Sequence, residues 1–165
     1  MHGRTLASIL IRFGEDGYSL HLKALPPERS GEGLNSMLKT GILNPAINSL
    51  LSRVRHTNTL VIADRGFPFW PGIETVDISL VDDLPRVLDV LRAIRDNFHI
   101  GSAAMAEEFR SANLPETQIL FERALQGIQV TFEPHIEFKK RVPKAIGLIR
   151  TGDTIRYANL ILESA

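Results

Sequence analysis

The sequence lacks cysteine, a marked excess of charge of either sign, and any long hydrophobic run. Without cysteine, disulfides and thiolate metal ligands are excluded, and the composition fits a reducing compartment. The 19 basic and 19 acidic residues cancel, so nothing indicates a nucleic-acid partner or an anionic membrane surface. No apolar run approaches the roughly 20 residues of a membrane span. We therefore expect a cytoplasmic globular protein with no nucleic-acid and no membrane partner.

The 165 residues, 44% of them hydrophobic, suffice for one domain with a real core. Residues 1–36 differ from the rest of the chain. Two strand-like segments, Leu6–Phe13 and Tyr18–Leu25, flank a Gly/Asp turn, and a linker rich in Pro, Gly, Ser and Glu follows. We interpret residues 1–36 as an N-terminal extension, either an appendage or the product of an upstream start site. Residues 37–165 form the main domain.

From Asn44 onward, helical periods alternate with short apolar segments. Asn44 can cap a helix that starts at Pro45, and a second helix is predicted to start at Asp82 and Asp83. Such alternation predicts a single three-layer α/β/α domain with a mostly parallel sheet. The predicted strands are 60–63, 100–106, 128–132, 145–149 and 159–162, and the later helices are 116–125 and 134–141.

Two polar residues flank the first predicted strand: His56 precedes it and Asp64 follows it. A histidine titrates near neutral pH and can serve as acid and base in turn, but a histidine at a helix end is also common. Asp64 follows a parallel strand, where α/β sheets place their ligands, but it could equally cap the turn at Gly66. The two side chains need not touch, and they could face opposite sides of one small polar substrate.

Two further pairs share a side of their elements. His135 and Lys139 are four residues apart on one face of a short helix, where both could simply be solvated. Tyr157 and Asn159 are two apart at a strand entrance, which would put them on one side of the pleat. Such a pair often only satisfies backbone groups.

Other chemistries find no support in the sequence. No histidine–carboxylate cluster has the spacing of metal ligands. There is no nucleophile elbow, P-loop or dinucleotide-binding glycine fingerprint. We therefore expect no metal and no cofactor.

Several short motifs nevertheless occur in a characteristic order between residues 39 and 164: KTGILN, HTN, DRGFP, MAEE, HIEFK, IRTGD and YAN. In this order they resemble the D-ribose pyranase/L-fucose mutarotase family. The resemblance implies a cofactor-independent isomerase that interconverts pyranose and furanose forms, and anomers, of a free aldose by acid/base ring opening. It implies D-ribose as the sugar, since Gly66 and Ala158 match the ribose-type patterns.

The resemblance also implies residue roles and an assembly. His56 would be the catalytic acid/base, and the sugar would be held by Asp64, His135, Lys139, Tyr157, Ala158 and Asn159. The protein would form a ring-shaped homo-oligomer, such as a pentamer or decamer, with each site completed by a neighbouring subunit.

Three residues depart from the family pattern: Arg55 replaces a glycine, Asn58 an acid and Arg65 a small residue. If Arg55 occupied a left-handed helix cap, the stability of the protein would fall by about 1 kcal/mol. Arg65 could pair with Asp64 or crowd the site. Two alternatives therefore stay open: a mutarotase for L-fucose or another sugar, and a sugar-binding or regulatory module without turnover.

Overall fold

The computed structural model describes residues 41–165, so the segments expected within residues 1–36 lie outside the described part of the chain. The described part contains five α-helices and six strands. The helices are α1 (Pro45–Leu51), α2 (Val87–Arg95), α3 (Glu108–Ala112), α4 (Pro115–Ala124) and α5 (His135–Arg141). The strands are β1 (Thr59–Ala63), β2 (Glu74–Asp77), β3 (Ile100–Ala106), β4 (Gln129–Glu133), β5 (Gly147–Arg150) and β6 (Leu160–Ser164).

The six strands form one sheet in the order β2-β5-β1-β6-β3-β4. β5 is parallel to β1 and β2, and β3 is parallel to β4. Only β6 runs the other way, because it pairs antiparallel with both β1 and β3. The mostly parallel sheet predicted from the sequence is confirmed, and five strands direct their carboxyl ends to the same edge.

Both faces of the sheet are covered, as the alternation along β1 illustrates. Leu60 and Ile62 belong to a large core cluster that includes residues of α1, α2 and α4. The intervening Val61 and Ala63 point to the opposite face, where they pack with Phe138 of α5. This two-sided burial produces the predicted three layers, and it explains why β1 reads as a continuous apolar run.

Local signals account for α1 but not for α2. Asn44 caps α1 as predicted: its Oδ1 accepts hydrogen bonds from the backbone of Ala46 and Ile47 at 2.9 and 3.1 Å. The prediction that α2 starts at Asp82 and Asp83 is wrong, because both carboxylates bind elsewhere. Asp82 pairs with Arg65, and Asp83 accepts from Thr154.

Helix α2 instead begins after Arg86, whose backbone N–H donates to Asp89 at 2.9 Å. The sequence does not predict β2 and α3, which have four and five residues. Elements this short carry too little periodicity to be recognised. Among residues 41–165, no helix combines the length and apolar character needed to span a membrane.

Candidate functional site

A polar cleft of about 400 Å³ opens at the carboxyl edge of the parallel strands. Three segments form it: the turn after β1, the start of α5 after β4, and the loop from β5 to β6. Because parallel α/β sheets bind ligands outside their carboxyl ends, this cleft occupies the expected position. Its volume lies within the roughly 300–1,000 Å³ typical of small-molecule sites. The lining residues include Asp64, Arg65, Gly66, Phe67, Pro68, His135, Lys139, Asp153, Thr154, Ile155, Arg156, Tyr157 and Asn159.

Asp64 and Asn159 form a two-way link across the cleft floor. The Asp64 N–H donates to Asn159 Oδ1 at 2.8 Å, and Asn159 Nδ2 donates to Asp64 Oδ2 at 2.9 Å. Asp64 Oδ1 also accepts from the Gly66 N–H at 2.9 Å, so the turn-capping role considered for Asp64 is real. Each carboxylate oxygen keeps a further lone pair for a ligand hydroxyl. Asn159 therefore orients the Asp64 carboxylate, in addition to satisfying a backbone group.

The pKa of the Asp64 carboxyl lies above its ordinary value. Burial is the main cause, and the neighbouring Asp153 acts in the same direction. Hydrogen bonds from Asn159 and Gly66 stabilise the ionised form and oppose the rise.

His135 is the first residue of α5, and its ring lies edge-on to Tyr157 with centroids 4.9 Å apart. Its Nε2 is buried and finds no hydrogen-bond partner within residues 41–165. Burial lowers the pKa of this imidazole, and the Lys139 cation lowers it further, whereas Glu108 and Asp64 oppose the shift. A buried ring nitrogen without a partner indicates that a ligand group can complete the site.

The remaining cleft residues follow the sequence expectations in part. Lys139 lies one turn along α5 from His135 and lines the same cleft, as the four-residue spacing predicted. Ala158 has a fully buried side chain in the core cluster under α2, so only its backbone could reach a ligand.

Tyr157 reaches the cleft by a different route from the one predicted. Its φ is +57°, and it lies in a turn ahead of β6. The expectation that Tyr157 and Asn159 share one side of a pleat is therefore wrong, since pleat alternation does not apply to a left-handed residue. Both nevertheless line the cleft because the loop folds back over it.

His56 lies elsewhere. It is exposed in the turn before β1, whereas Asp64 follows the other end of that strand. The five residues of β1 span roughly 16 Å. Within one chain, His56 and Asp64 thus lie at opposite edges of the sheet, and they do not face one substrate together.

The three departures from the family pattern have local structural roles. Thr57, and not Arg55, has the left-handed backbone conformation. The loss of stability expected for an arginine in a left-handed helix cap therefore does not apply to Arg55. The Arg55 guanidinium donates to the Ser52 and Val54 carbonyls, and the Arg55 N–H donates to Asn58 Oδ1. Arg65 pairs with Asp82, not with Asp64.

Two acidic residues with supporting roles were not singled out as site residues. Asp153 is fully buried, and its Oδ2 and Oδ1 accept from the N–H groups of Val87 and Ile155 at 2.9 and 2.8 Å. It thereby fastens the cleft loop to the start of α2. Glu108 accepts from the His135 N–H at the start of α5. Glu108 lies in the MAEE motif and Asp153 in the IRTGD motif. These motifs are the feature of the sequence from which the two residues could have been found.

No group of three or more His, Cys, Asp or Glu side chains suited to a metal ion occurs in the part of the chain that the structure describes. The cleft chemistry is that of hydrogen bonding and proton transfer: a carboxylate, an imidazole, an amine, a phenol and a carboxamide face one space. The fold and cleft together define a parallel α/β domain with a small-molecule site at its carboxyl edge.

Comparison with known proteins identifies the family. Residues 37–165 match the RbsD / FucU transport protein family, and the chain belongs to this family. A D-ribose pyranase from Geobacillus kaustophilus is 41% identical over 128 residues, covering 78% of this chain and 93% of the relative. A D-ribose pyranase from Chromobacterium violaceum is 43% identical over 129 residues, covering 78% of this chain and 97% of the relative.

Solved structures give the same result for the fold. The structure of Bacillus subtilis RbsD complexed with D-ribose superposes with a TM-score of 0.73 at 32% identity, covering 78% of this chain and 98% of that one. A fucose mutarotase from Streptococcus pneumoniae in complex with L-fucose gives 0.64 at 20% identity, covering 74% and 92%. At that identity the second similarity shows the fold alone.

Proposed function

We propose that the protein is a cofactor-independent sugar isomerase that interconverts the pyranose and furanose forms of a free aldose. The observation that carries this proposal is the cleft in which Asp64, His135 and Lys139 face one small space, with His135 Nε2 left without a partner among the described residues. The D-ribose pyranases to which the chain is similar support the reaction and make D-ribose the first sugar to test. An L-fucose mutarotase activity is the alternative that is chemically most similar to this proposal.

The reaction needs the ring to open to the aldehyde and close again. A base removes the proton of the anomeric hydroxyl while an acid protonates the ring oxygen, and the two roles reverse on closure. In this proposal His56 exchanges these protons. Asp64 accepts hydrogen bonds from sugar hydroxyls, and Lys139 and Tyr157 donate to them. His135, Asn159 and the Ala158 backbone add further contacts.

The position of His56 requires a second chain in this proposal. His56 and the cleft lie at opposite edges of one sheet, and so His56 cannot reach the sugar bound by its own subunit. A neighbouring subunit would supply it, as a ring-shaped homo-oligomer allows, because heterologous contacts join one surface of a subunit to a different surface of the next. The oligomer, the cytoplasmic location and the boundary at residue 36 stay predictions.

The test is NMR saturation transfer between the pyranose and furanose signals of D-ribose, repeated with L-fucose. We expect the protein to accelerate exchange, and we expect His56→Ala to remove about 10²–10⁴-fold of that acceleration. His99→Ala is the matched control, because His99 is also exposed and lies near the same sheet edge. If neither sugar exchanges faster although binding is detected, the isomerase fails and the non-catalytic sugar-binding module replaces it.

A further inference from the structure

The start of α5 is held by a carboxylate from another helix. Glu108 is the first residue of α3, and its side chain is half-buried. Its Oε1 and Oε2 lie 3.1 and 2.9 Å from the backbone nitrogen of His135, which donates to the carboxylate. The residue before α5 is Pro134, whose side chain cannot cap, and α5 has no cap from its own flanking side chain. Glu108 therefore supplies the cap from a distance of 27 residues along the chain.

The same helix carries two cleft residues, so the cap affects the site. His135 begins α5 and packs edge-on against Tyr157, and Lys139 lies one turn later. On its other side, the helix is anchored by Phe138, which is fully buried against the sheet. A shift at the first turn would move the His135 ring away from Tyr157 and redirect its Nε2. Small displacements of such groups cost much of their effect on a substrate.

We propose that Glu108 is a positioning residue of the cleft, which fixes the start of α5 and thereby directs the His135 imidazole toward the substrate. Its carboxylate acts through the His135 backbone and through its charge, and it does not touch the sugar.

The charge of Glu108 adds a second effect on His135. The ring is faced by Lys139 from its own helix, Glu108 from α3, Asp64 from the turn after β1, and Tyr157 from the loop before β6. Burial and Lys139 lower the pKa of the imidazole, whereas Glu108 and Asp64 raise it. Removing the charge of Glu108 should therefore lower the pKa of His135 further. A residue that served only as a helix cap would leave this pKa unchanged when replaced by another hydrogen-bond acceptor.

The experiment uses the full chain and three variants: Glu108→Gln, Glu108→Ala and Glu107→Gln. Gln keeps an acceptor for the His135 N–H and removes the charge, whereas Ala removes both. Glu107 is the matched control, because it is the exposed neighbour and its hydrogen bonds among residues 41–165 run through its backbone, to Glu133 and from Arg110. Two measurements are made. The pH titration of the His135 ring proton NMR signals gives its pKa, and the kinetics of D-ribose exchange give KM and kcat.

We expect the pKa of His135 to fall in Glu108→Gln, with near-native KM, and to stay unchanged in Glu107→Gln. We expect Glu108→Ala to raise KM on the order of tenfold, with a smaller change in kcat, because the helix start is released. Equal pKa values of His135 in Glu108→Gln and Glu107→Gln would overturn the proposal, as would an unchanged KM in Glu108→Ala. If Glu108→Ala does not fold, the pKa comparison between the two Gln variants decides alone.

The positioning role of Glu108 rests on the proposed function, but the experiment distinguishes the failure of one from the failure of the other. Should the native protein not accelerate exchange, the isomerase fails, but titration of His135 and the affinity for D-ribose in the three variants still test the positioning role. Should exchange proceed and both Glu108 variants behave like the control, only the positioning role fails.

Discussion

The two edges of the sheet differ in how they use their polar groups. At the carboxyl edge, side chains from three distant segments converge on a cleft, and Asp64 is linked to Asn159 across 95 residues of sequence. At the amino edge, polar groups bind mainly one another's backbone. Asn58 Oδ1 accepts from the Arg55 N–H, Ser164 Oγ donates to the Arg55 carbonyl, and His56 stays exposed.

In the proposed function, the carboxyl edge binds the ligand and the amino edge supplies His56 to a neighbouring subunit. Within residues 41–165, the buried His135 Nε2 in the cleft has no hydrogen-bond partner, which is costly unless a ligand completes it. The amino edge presents His56 on a turn whose backbone is tied to the end of β6 through Thr57 and Ser164. The proposed assembly uses this exposed histidine in the cleft of another chain.

The largest expected effect tests whether the two edges act together across chains. His56→Ala should lose exchange activity on the order of 10²-fold or more, because it removes the proposed acid/base. His135→Ala should also lose most of the activity, because the cleft loses a group that holds and positions the sugar. When the two variants are dissociated, mixed in equal amounts and reassembled, about a quarter of the sites should combine an intact His56 with an intact cleft. Saturation transfer on D-ribose measures the recovery.

A mixture that stays as inactive as its components would contradict a shared site. The control is a mixture of His56→Ala with His99→Ala. There the His99→Ala chains keep both edges intact, so activity must exceed that of His56→Ala alone even without any reassembly.

The next effect concerns the stability of the two edges. Asp153→Ala leaves the N–H groups of Val87 and Ile155 without their acceptor, and each costs about 1–3 kcal/mol when buried. We expect the free energy of unfolding to fall by about 2–4 kcal/mol. Ser164→Ala at the amino edge removes a single hydrogen bond and should cost about 1 kcal/mol. Urea unfolding of the native protein and of the two variants measures both losses of stability. Equal losses would argue against a difference in stability between the two edges.

A smaller effect is expected for Asn159→Ala, which removes both hydrogen bonds to Asp64. Stability should fall by about 1–2 kcal/mol, and the pKa of Asp64 should rise further, because the Asn159 amide favours the ionised carboxylate. Carbon NMR of the Asp64 carboxyl measures that pKa. Asn58→Ala at the amino edge is the matched control, and it should leave Asp64 unaffected. A pKa that moves equally in both variants would show that the link across the cleft does not govern Asp64.

The smallest effect is a pH dependence carried by His135. Its pKa is lowered below the ordinary 6.5, mainly by burial, so the unfolded chain takes up the proton more readily than the folded one. Its contribution to stability is therefore complete above pH 6.5 and is lost as the pH falls through the folded pKa. Urea unfolding between pH 7.5 and 5 should show a steeper decline in the native protein than in His135→Gln. His99→Gln should decline as the native protein does.

The sequence predicted the layered architecture because its long periodic segments carry strong signals. Asn44 and Pro45 mark the start of α1, and the apolar run of β1 indicates a strand buried on both faces. The predicted start of α2 was wrong, since Asp82 binds Arg65 and Asp83 binds Thr154 instead of capping the helix. Those partners are 17 and 71 residues away along the chain, and no local pattern could reveal them.

The same division between what the sequence predicts and what the tertiary structure decides applies to the site. By itself, the sequence determined which polar residues flank the strands, and the resemblance carried by its motifs assigned them roles at a sugar site. Only the tertiary structure decided which of them meet: His135 with Tyr157, Asp64 with Asn159, and Glu108 at the start of α5. It also decided that His56 lies at the opposite edge from Asp64. The physical reason is that contacts between distant segments depend on strand order and loop path, which periodicity does not encode.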